Sequence, residues 1–268
     1  MGVNCMTGNQ LRWKVVFDSV QGTSHERNNQ PCQDCSRVVK HQVAEEEILI
    51  AVCADGAGSS THSAEGARIV CDEFVKLGQS YLNEQHTIEE VSQEIILNWL
   101  EQIRSEMLNE ADQLQTELSQ MASTFLGCII TPQCALFIQI GDGAMIYKEA
   151  EQFQYAFWPH SGEYINMTNF LTSEKYQEQV EWKIITKQID EFAAFTDGLE
   201  RLVLNFEKQF VHEPAVVPML NALRSSETGD EFFDPLRSFL NSKNINERTD
   251  DDKTLVLATR LNNEEPVL

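Results

Sequence analysis

From Ile48 to Ala54 the chain reads ILIAVCA without a polar side chain, stops on Asp55 and turns through Gly56 and Gly58. A short apolar run rich in Ile and Val, ended by a turn signal, predicts a strand covered on both faces. Beyond Ser60 the period changes. Ala64, Ala67, Cys71, Phe74 and Val75 recur at three- and four-residue steps, which predicts a helix. The apolar run into Asp-Gly returns in LFIQIGDG at 136–143 and AAFTDG at 193–198, and Thr249-Asp250-Asp251-Asp252 precedes the run TLVLAT.

The same patterning divides the rest of the chain. Trp13 to Val20 predicts a first strand, followed by GTSHERNNQPCQD, a polar and turn-rich loop long enough to reach over a site. Ser36 to Gln42 predicts a second strand, and Glu45-Glu46-Glu47 a solvated turn. Thr87 and Glu90 stand at capping-box spacing ahead of one stripe of Ile88, Val91, Ile95, Trp99, Ile103, Met107, Ala111, Leu114 and Leu118. That predicts a long amphipathic helix, broken once before Met121. Ser123–Thr131 and Cys134–Ile140 predict a hairpin, which Met145–Lys148 and Phe153–Trp158 extend as a meander. Residues 159–180 lack clear periodicity and predict an inserted loop or flap. Strands at Glu181–Thr186 and Glu191–Phe195 follow, then helices at Leu199–Phe206, Ala215–Leu223 and Phe232–Leu240, and a last strand at Thr254–Thr259. With no internal repeat and no linker, a single domain over residues 1–268 is expected, its core spanning about 13–261.

Composition narrows the function classes. The apolar fraction is 42% and no run reaches membrane-spanning length. Forty-two acidic against 20 basic residues give a net charge of −22. Such a balance argues against nucleic acid or an anionic membrane as partner. Seven cysteines, odd in number and scattered, are the usage of a reducing compartment rather than of a disulfide framework, so a cytoplasmic location is expected. Cys32 and Cys35 form a lone CxxC without a second pair at zinc-site spacing.

Four strand ends carrying aspartate are more than turn chemistry requires, and Asp34 in PCQDCS is a fifth candidate. Gathered carboxylates repel one another, and hard divalent cations with oxygen ligands relieve that repulsion.

QDC around Asp34, ADGAG at 54–58, STFLG at 123–127, IGDG at 140–143, FTDGL at 195–199 and DDKTLVL at 251–257 resemble, in order and spacing, the motifs of the metal-dependent protein serine/threonine phosphatase family, type 2C. The resemblance runs from about Trp13 to Leu261 and is strongest to the bacterial branch, in which a Ser-His pair precedes the Gln-Asp motif. It implies an α+β fold, a four-layer α/β/β/α sandwich of two antiparallel sheets flanked by helices. It further implies two Mn²⁺ or Mg²⁺ ions bridged by Asp55, with the Gly56 carbonyl, Asp197 and Asp251 completing the shell of one ion and Asp34 serving the other. Asp142 falls in what is, for the family, a structural turn. The activity implied is hydrolysis of phosphoserine and phosphothreonine by a water bridging the two ions, on a phosphorylated protein substrate, with a cognate kinase as a further partner.

Three departures stand out. Many family members place a phosphate-gripping arginine where this chain has Asn29, leaving His25 or Arg27 to take that role. The position after Asp55-Gly56 is Ala57 rather than histidine. Where bacterial members carry an aspartate for a third ion, this chain has Gln120, which implies a weak or absent third site. The changed phosphate grip keeps an alternative open, a binding module for a kinase or phosphoprotein that does not turn it over; hydrolysis of a small phosphorylated metabolite is a third reading.

Overall fold

The computed structural model describes residues 12–159 and 168–261. Its elements run β1 (Arg12–Val20), α1 (Thr23–Asn28), β2 (Cys35–Val43), β3 (Glu46–Ala54), α2 (Ser63–Asn83), α3 (Gln93–Gln113), β4 (Phe125–Ile130), β5 (Ala135–Ile140), β6 (Ala144–Glu149), β7 (Gln152–Tyr155) and α4 (Tyr176–Gln179). They continue as β8 (Glu181–Ile185), β9 (Glu191–Phe195), α5 (Glu200–Val203), β10 (Leu204–Asn205), β11 (Phe210–Val211), α6 (Val217–Ser225), α7 (Phe233–Leu240), α8 (Lys243–Asn246) and β12 (Lys253–Leu261).

Two five-stranded antiparallel sheets, ordered β2-β3-β4-β5-β8 and β1-β12-β9-β6-β7, stack face to face. The unbroken apolar run of β3 is explained by this stacking. Leu49, Ala51 and Cys53 pack between the sheets with Trp13, Met145 and Phe192. Ile48, Ile50 and Val52 point the other way, into a layer made with Phe74 of α2 and Trp99 of α3. A second outer layer joins Val16, Phe195 and Leu257 to Leu220, Leu236 and Leu240 of α6 and α7. The result is the expected sandwich of helix, sheet, sheet and helix layers. Each large side chain so buried contributes about 1.5–3 kcal/mol, and Phe74 and Phe125 add an edge-to-face contact at 5.1 Å.

Several local expectations are revised. The polar stretch after β1 holds the helix α1, closed by Asn29 at φ 53°, a left-handed conformation that Asn tolerates better than most residues. Glu46 and Glu47 belong to β3 rather than to a turn, and a Glu47 carboxylate oxygen accepts the Trp13 N–H. The Thr87–Glu90 capping box forms but opens only one turn of 3₁₀ helix, because Val91 is extended and Ser92 caps α3 separately. The stripe is therefore broken twice, the second time after Gln113, where Gln115 is left-handed. Leu199–Phe206 is helical only through Val203 and then joins the small β10–β11 hairpin. The meander also ends early. At Gly141-Asp142-Gly143 the chain leaves one sheet for the other, with both glycines at positive φ (99° and 82°).

Part of the expected flap, residues 160–167, lies outside the described residues. The part from 168 to 180 is fastened to the body: Leu171 is buried with its N–H bonded to the Ser123 carbonyl, and Arg104 stacks on Tyr176 at 4.3 Å.

Candidate metal centre

The strand ends converge as the repeated Asp-Gly turns suggest. Asp55 terminates β3, and its backbone is locked to the start of β4 by Thr124, whose hydroxyl accepts the Asp55 N–H at 2.8 Å and whose N–H donates to the Asp55 carbonyl at 2.8 Å. Asp197 follows β9 in a 3₁₀ turn, Asp142 sits in the crossing between β5 and β6, Asp34 precedes β2, and Asp251 precedes β12. One carboxylate oxygen from each of Asp55, Asp142 and Asp197 lies within 4.8 Å of the others. Asp142, expected in a structural turn, does occupy the turn between β5 and β6, and the fold also brings it into the cluster, with one oxygen accepting from the Thr168 hydroxyl and the other buried without a partner.

Asp34 is the most enclosed of the set. Its Oδ2 accepts from the hydroxyls of Thr196 at 2.7 Å and Thr254 at 2.8 Å, while Oδ1 is buried and unpartnered. Burial drives its pKa up to about 8, against the pull of those two hydroxyls and with a further push from Asp252. Burial likewise raises Asp197 to about 7, with Asp142 and Asp251 adding repulsion. Asp55 rises well above the ordinary carboxylate range, first from desolvation and then from Asp34, Asp197, Asp251 and Asp142 together. Asp251, at the exposed rim, is raised mainly by its partial desolvation. Asp55 thus stands at the electrostatic centre of the group. Glu200, whose Oε1 accepts the Gly143 N–H at 2.7 Å, is raised to about 7 by burial and flanks Asp142 and Asp197.

The donor chemistry fits hard divalent ions. The gathered donors are all carboxylate oxygens, and two of them, Asp34 Oδ1 and Asp142 Oδ1, are buried without a protein partner. Cys32, beside Asp34, is held as a neutral thiol by burial and by the Asp34 and Asp252 charges, so it offers no soft thiolate. Gly56 is buried next to Asp55 and donates its N–H to the Gln33 carbonyl, which couples the Asp55 turn to the residue before Asp34. Gln120 directs its side-chain oxygen to the N–H and hydroxyl of Thr61.

The two residues expected to meet a phosphate behave differently. Arg27 is 68% exposed and pairs with Asp250 at 2.9 Å. His25 is buried, its Nδ1 lying 2.9 Å from Asp252 Oδ2 but off the line of an ideal hydrogen bond. Asp252 itself, 2% exposed, accepts the backbone N–H groups of Gly22 at 2.6 Å and Gln33 at 2.5 Å. It therefore pins both ends of the segment that carries α1 and leads to Asp34. Within the acidic triplet the sequence singled out Asp251 at the rim; the structural role of its buried neighbour was signalled only by the triplet itself. Thr196 and Thr254, which hold Asp34, lie inside the FTDGL and DDKTLVL motifs, where nothing local shows that they support Asp34.

A family model described as protein phosphatase 2C matches residues 21–247. The chain is 36% identical over 253 residues to serine/threonine-protein phosphatase 3 of Escherichia coli (strain K12), covering 92% of this chain and 98% of that one. Among solved structures, a variant of a bacterial serine phosphatase superposes with a TM-score of 0.64 at 15% identity, over 95% of this chain and 100% of the other. The catalytic domain of the serine threonine protein phosphatase PstP, in complex with two manganese ions, superposes with a TM-score of 0.60 at 11% identity, over 94% and 100%. No helix among the described residues is long and apolar enough to cross a membrane.

Proposed function

Because the chain belongs to the protein phosphatase 2C family, and is thereby a metal-dependent protein phosphatase, we propose that it hydrolyses phosphoserine and phosphothreonine at the aspartate cluster, with two Mn²⁺ or Mg²⁺ ions as cofactors. The observation that carries this reading is the desolvated group of carboxylates around Asp55, whose mutual repulsion calls for cations. In this reading Asp55 would hold both ions, Asp34 would hold one, and Asp197 and Asp251 with the Gly56 carbonyl would hold the other. Asp142 is available as an additional ligand, so a further ion does not depend on Gln120.

When bound, such ions acidify a water to near neutrality and neutralise charge on the phosphoryl group. The chain's own groups prepare the site for them. Thr196 and Thr254 fix the Asp34 rotamer from one side, leaving its second oxygen free. Thr124 fixes the turn that presents Asp55. Arg27 sits in an exposed ion pair of the kind that contributes little, so it can leave Asp250 and grip an incoming phosphate through two parallel hydrogen bonds. His25 is too enclosed to do this as readily.

A phosphorylated protein, with its kinase as a second partner, is the substrate class; the net charge of −22 suits phosphosites set in basic segments. A cytoplasmic setting is supported by six free cysteines among the described residues, five of them buried.

The test is turnover of a phosphothreonine peptide by the purified protein across a Mn²⁺ and Mg²⁺ titration with a chelator control. Metal-dependent hydrolysis that Asp55→Asn abolishes supports the proposal. A folded protein that binds the ions, measured by calorimetry, yet stays silent at saturating metal would instead support a binding module for a kinase or phosphoprotein.

A further inference from the structure

Hydrolysis of a phosphorylated serine or threonine expels an alkoxide, a far poorer leaving group than a phenolate. Protonation of the departing oxygen by a positioned side chain contributes typically about 10²–10⁴-fold to such a step. The carboxylate cluster cannot supply this proton while it holds cations, and position 57, next to Asp55-Gly56, is an alanine.

The Gly22–Gln33 segment supplies an arrangement suited to the task. Asp252 is almost wholly buried and accepts the N–H groups of Gly22 and Gln33, so its carboxylate is immobile. Ser24 fastens α1 a second time, its N–H and hydroxyl both donating to the Asp250 carbonyl. Between these anchors His25 places Nδ1 2.9 Å from Asp252 Oδ2. Nδ1 is sealed from solvent, so the 10% exposure left to this side chain falls on its other atoms. Asp252 in turn donates its backbone N–H to Asp251 Oδ1 at 2.9 Å, which puts the ring one residue from the rim of the cluster. A carboxylate facing Nδ1 fixes the tautomer and leaves Nε2 to carry the proton that moves. Contacts of this kind are often poorly aligned before substrate arrives.

We infer that His25, oriented by Asp252, donates the proton to the leaving serine or threonine oxygen. This rests on the phosphatase reading above and assigns His25 a part in it distinct from gripping the phosphate. The step balances without a co-reactant: the water oxygen bonds phosphorus, the ester P–O bond breaks, the Nε2 proton moves to the ester oxygen, and the proton shed by the water restores His25. His25 is the catalytic residue and Asp252 its positioning residue.

The test uses leaving-group dependence. Wild type, His25→Ala, His25→Gln, Asp252→Asn and, as a comparison at the histidine that precedes α2, His62→Ala are assayed on a phosphothreonine peptide, phenyl phosphate and p-nitrophenyl phosphate, with the rise in Tm on adding Mn²⁺ as a separate readout. Both His25 variants are expected to lose about 100-fold or more in kcat on the phosphothreonine peptide, less on phenyl phosphate, and least, by at least tenfold relative to the peptide, on p-nitrophenyl phosphate. KM and the Mn²⁺-induced Tm rise should stay near wild type. Asp252→Asn, whose single amide oxygen serves only one of the two backbone donors, is checked for folding by circular dichroism and should show the same leaving-group pattern to a smaller extent. An equal loss on all three substrates, a loss confined to KM, or the pattern appearing in His62→Ala instead would overturn the assignment while leaving the phosphatase intact. A wild-type protein that turns over none of the substrates would refute the phosphatase reading itself.

Discussion

Replacing Asp34 by asparagine should stabilise the metal-free protein while destroying its activity. In the folded chain the Asp34 pKa stands at about 8, raised first by burial, against the 3.8 of an ordinary aspartate. Between those two values the native state keeps a proton that the unfolded chain has released, so stability falls as pH rises through this window and the loss is complete above about 8. The slope for one such group is about 1.4 kcal/mol per pH unit. From pH 5.5 to 7.5 wild-type stability should therefore drop by roughly 2–3 kcal/mol on account of Asp34 alone. Asparagine carries no titrating proton and keeps an oxygen for the Thr196 and Thr254 hydroxyls, so the variant should gain on wild type by that amount over the same interval. The assay is urea unfolding of both proteins after chelation at pH 5.5, 6.5 and 7.5, repeated with saturating Mn²⁺. Added metal should flatten the wild-type slope, because it binds the ionised carboxylates, and should leave the variant much less affected. A stability difference that stays constant across these pH values would refute the reasoning that Asp34 is strained by its own charge.

Other expectations are simpler. Asp142→Asn should weaken Mn²⁺ binding by about 10-fold or more in a calorimetric titration while leaving the fold unchanged by circular dichroism. Arg27→Ala should raise KM for a phosphothreonine peptide several-fold with kcat little changed, since the group meets ground state and transition state alike. Gly22→Ala should cut turnover by at least 10-fold, because a Cβ there overlaps the carbonyl of Asp251 and displaces it; an alanine variant with wild-type activity would show that Asp251 need not hold its position.

The layers were legible because burial on two faces leaves a mark that survives in one sequence. The run 48–54 had no polar residue to spare for solvent, and the stripe through Trp99, Ile103 and Met107 named the face of α3 that packs on it. The aspartates at strand ends were legible for a related reason, since a charge next to a buried run has few structural uses. What the sequence concealed depends on distance along the chain. Asp142 read as a turn residue because nothing local reveals that β5 and β6 lie in different sheets, which is what swings the turn between them into the cluster. Asp252 was masked by its two neighbours, and only its bonds to Gly22 and Gln33, more than two hundred residues away, distinguish it. The capping box at Thr87 was correctly read and still misjudged the helix, because a satisfied first turn does not oblige the chain to continue.

β12, the last strand of the described chain, lies inside its sheet, paired with β1 on one side and β9 on the other. The strand β1, ending at Val20, must therefore wait for its neighbour until synthesis has passed Lys253. Long waits of this kind make for slow folding, because distant segments must meet before either is held in place. The residues that hold Asp34 and α1, Thr254 and Asp252, arrive on that same late strand and its approach. On the ribosome, a nascent chain can assemble the sheet of β2, β3, β4, β5 and β8, but the end that carries the aspartates stays open until β12 emerges and closes it.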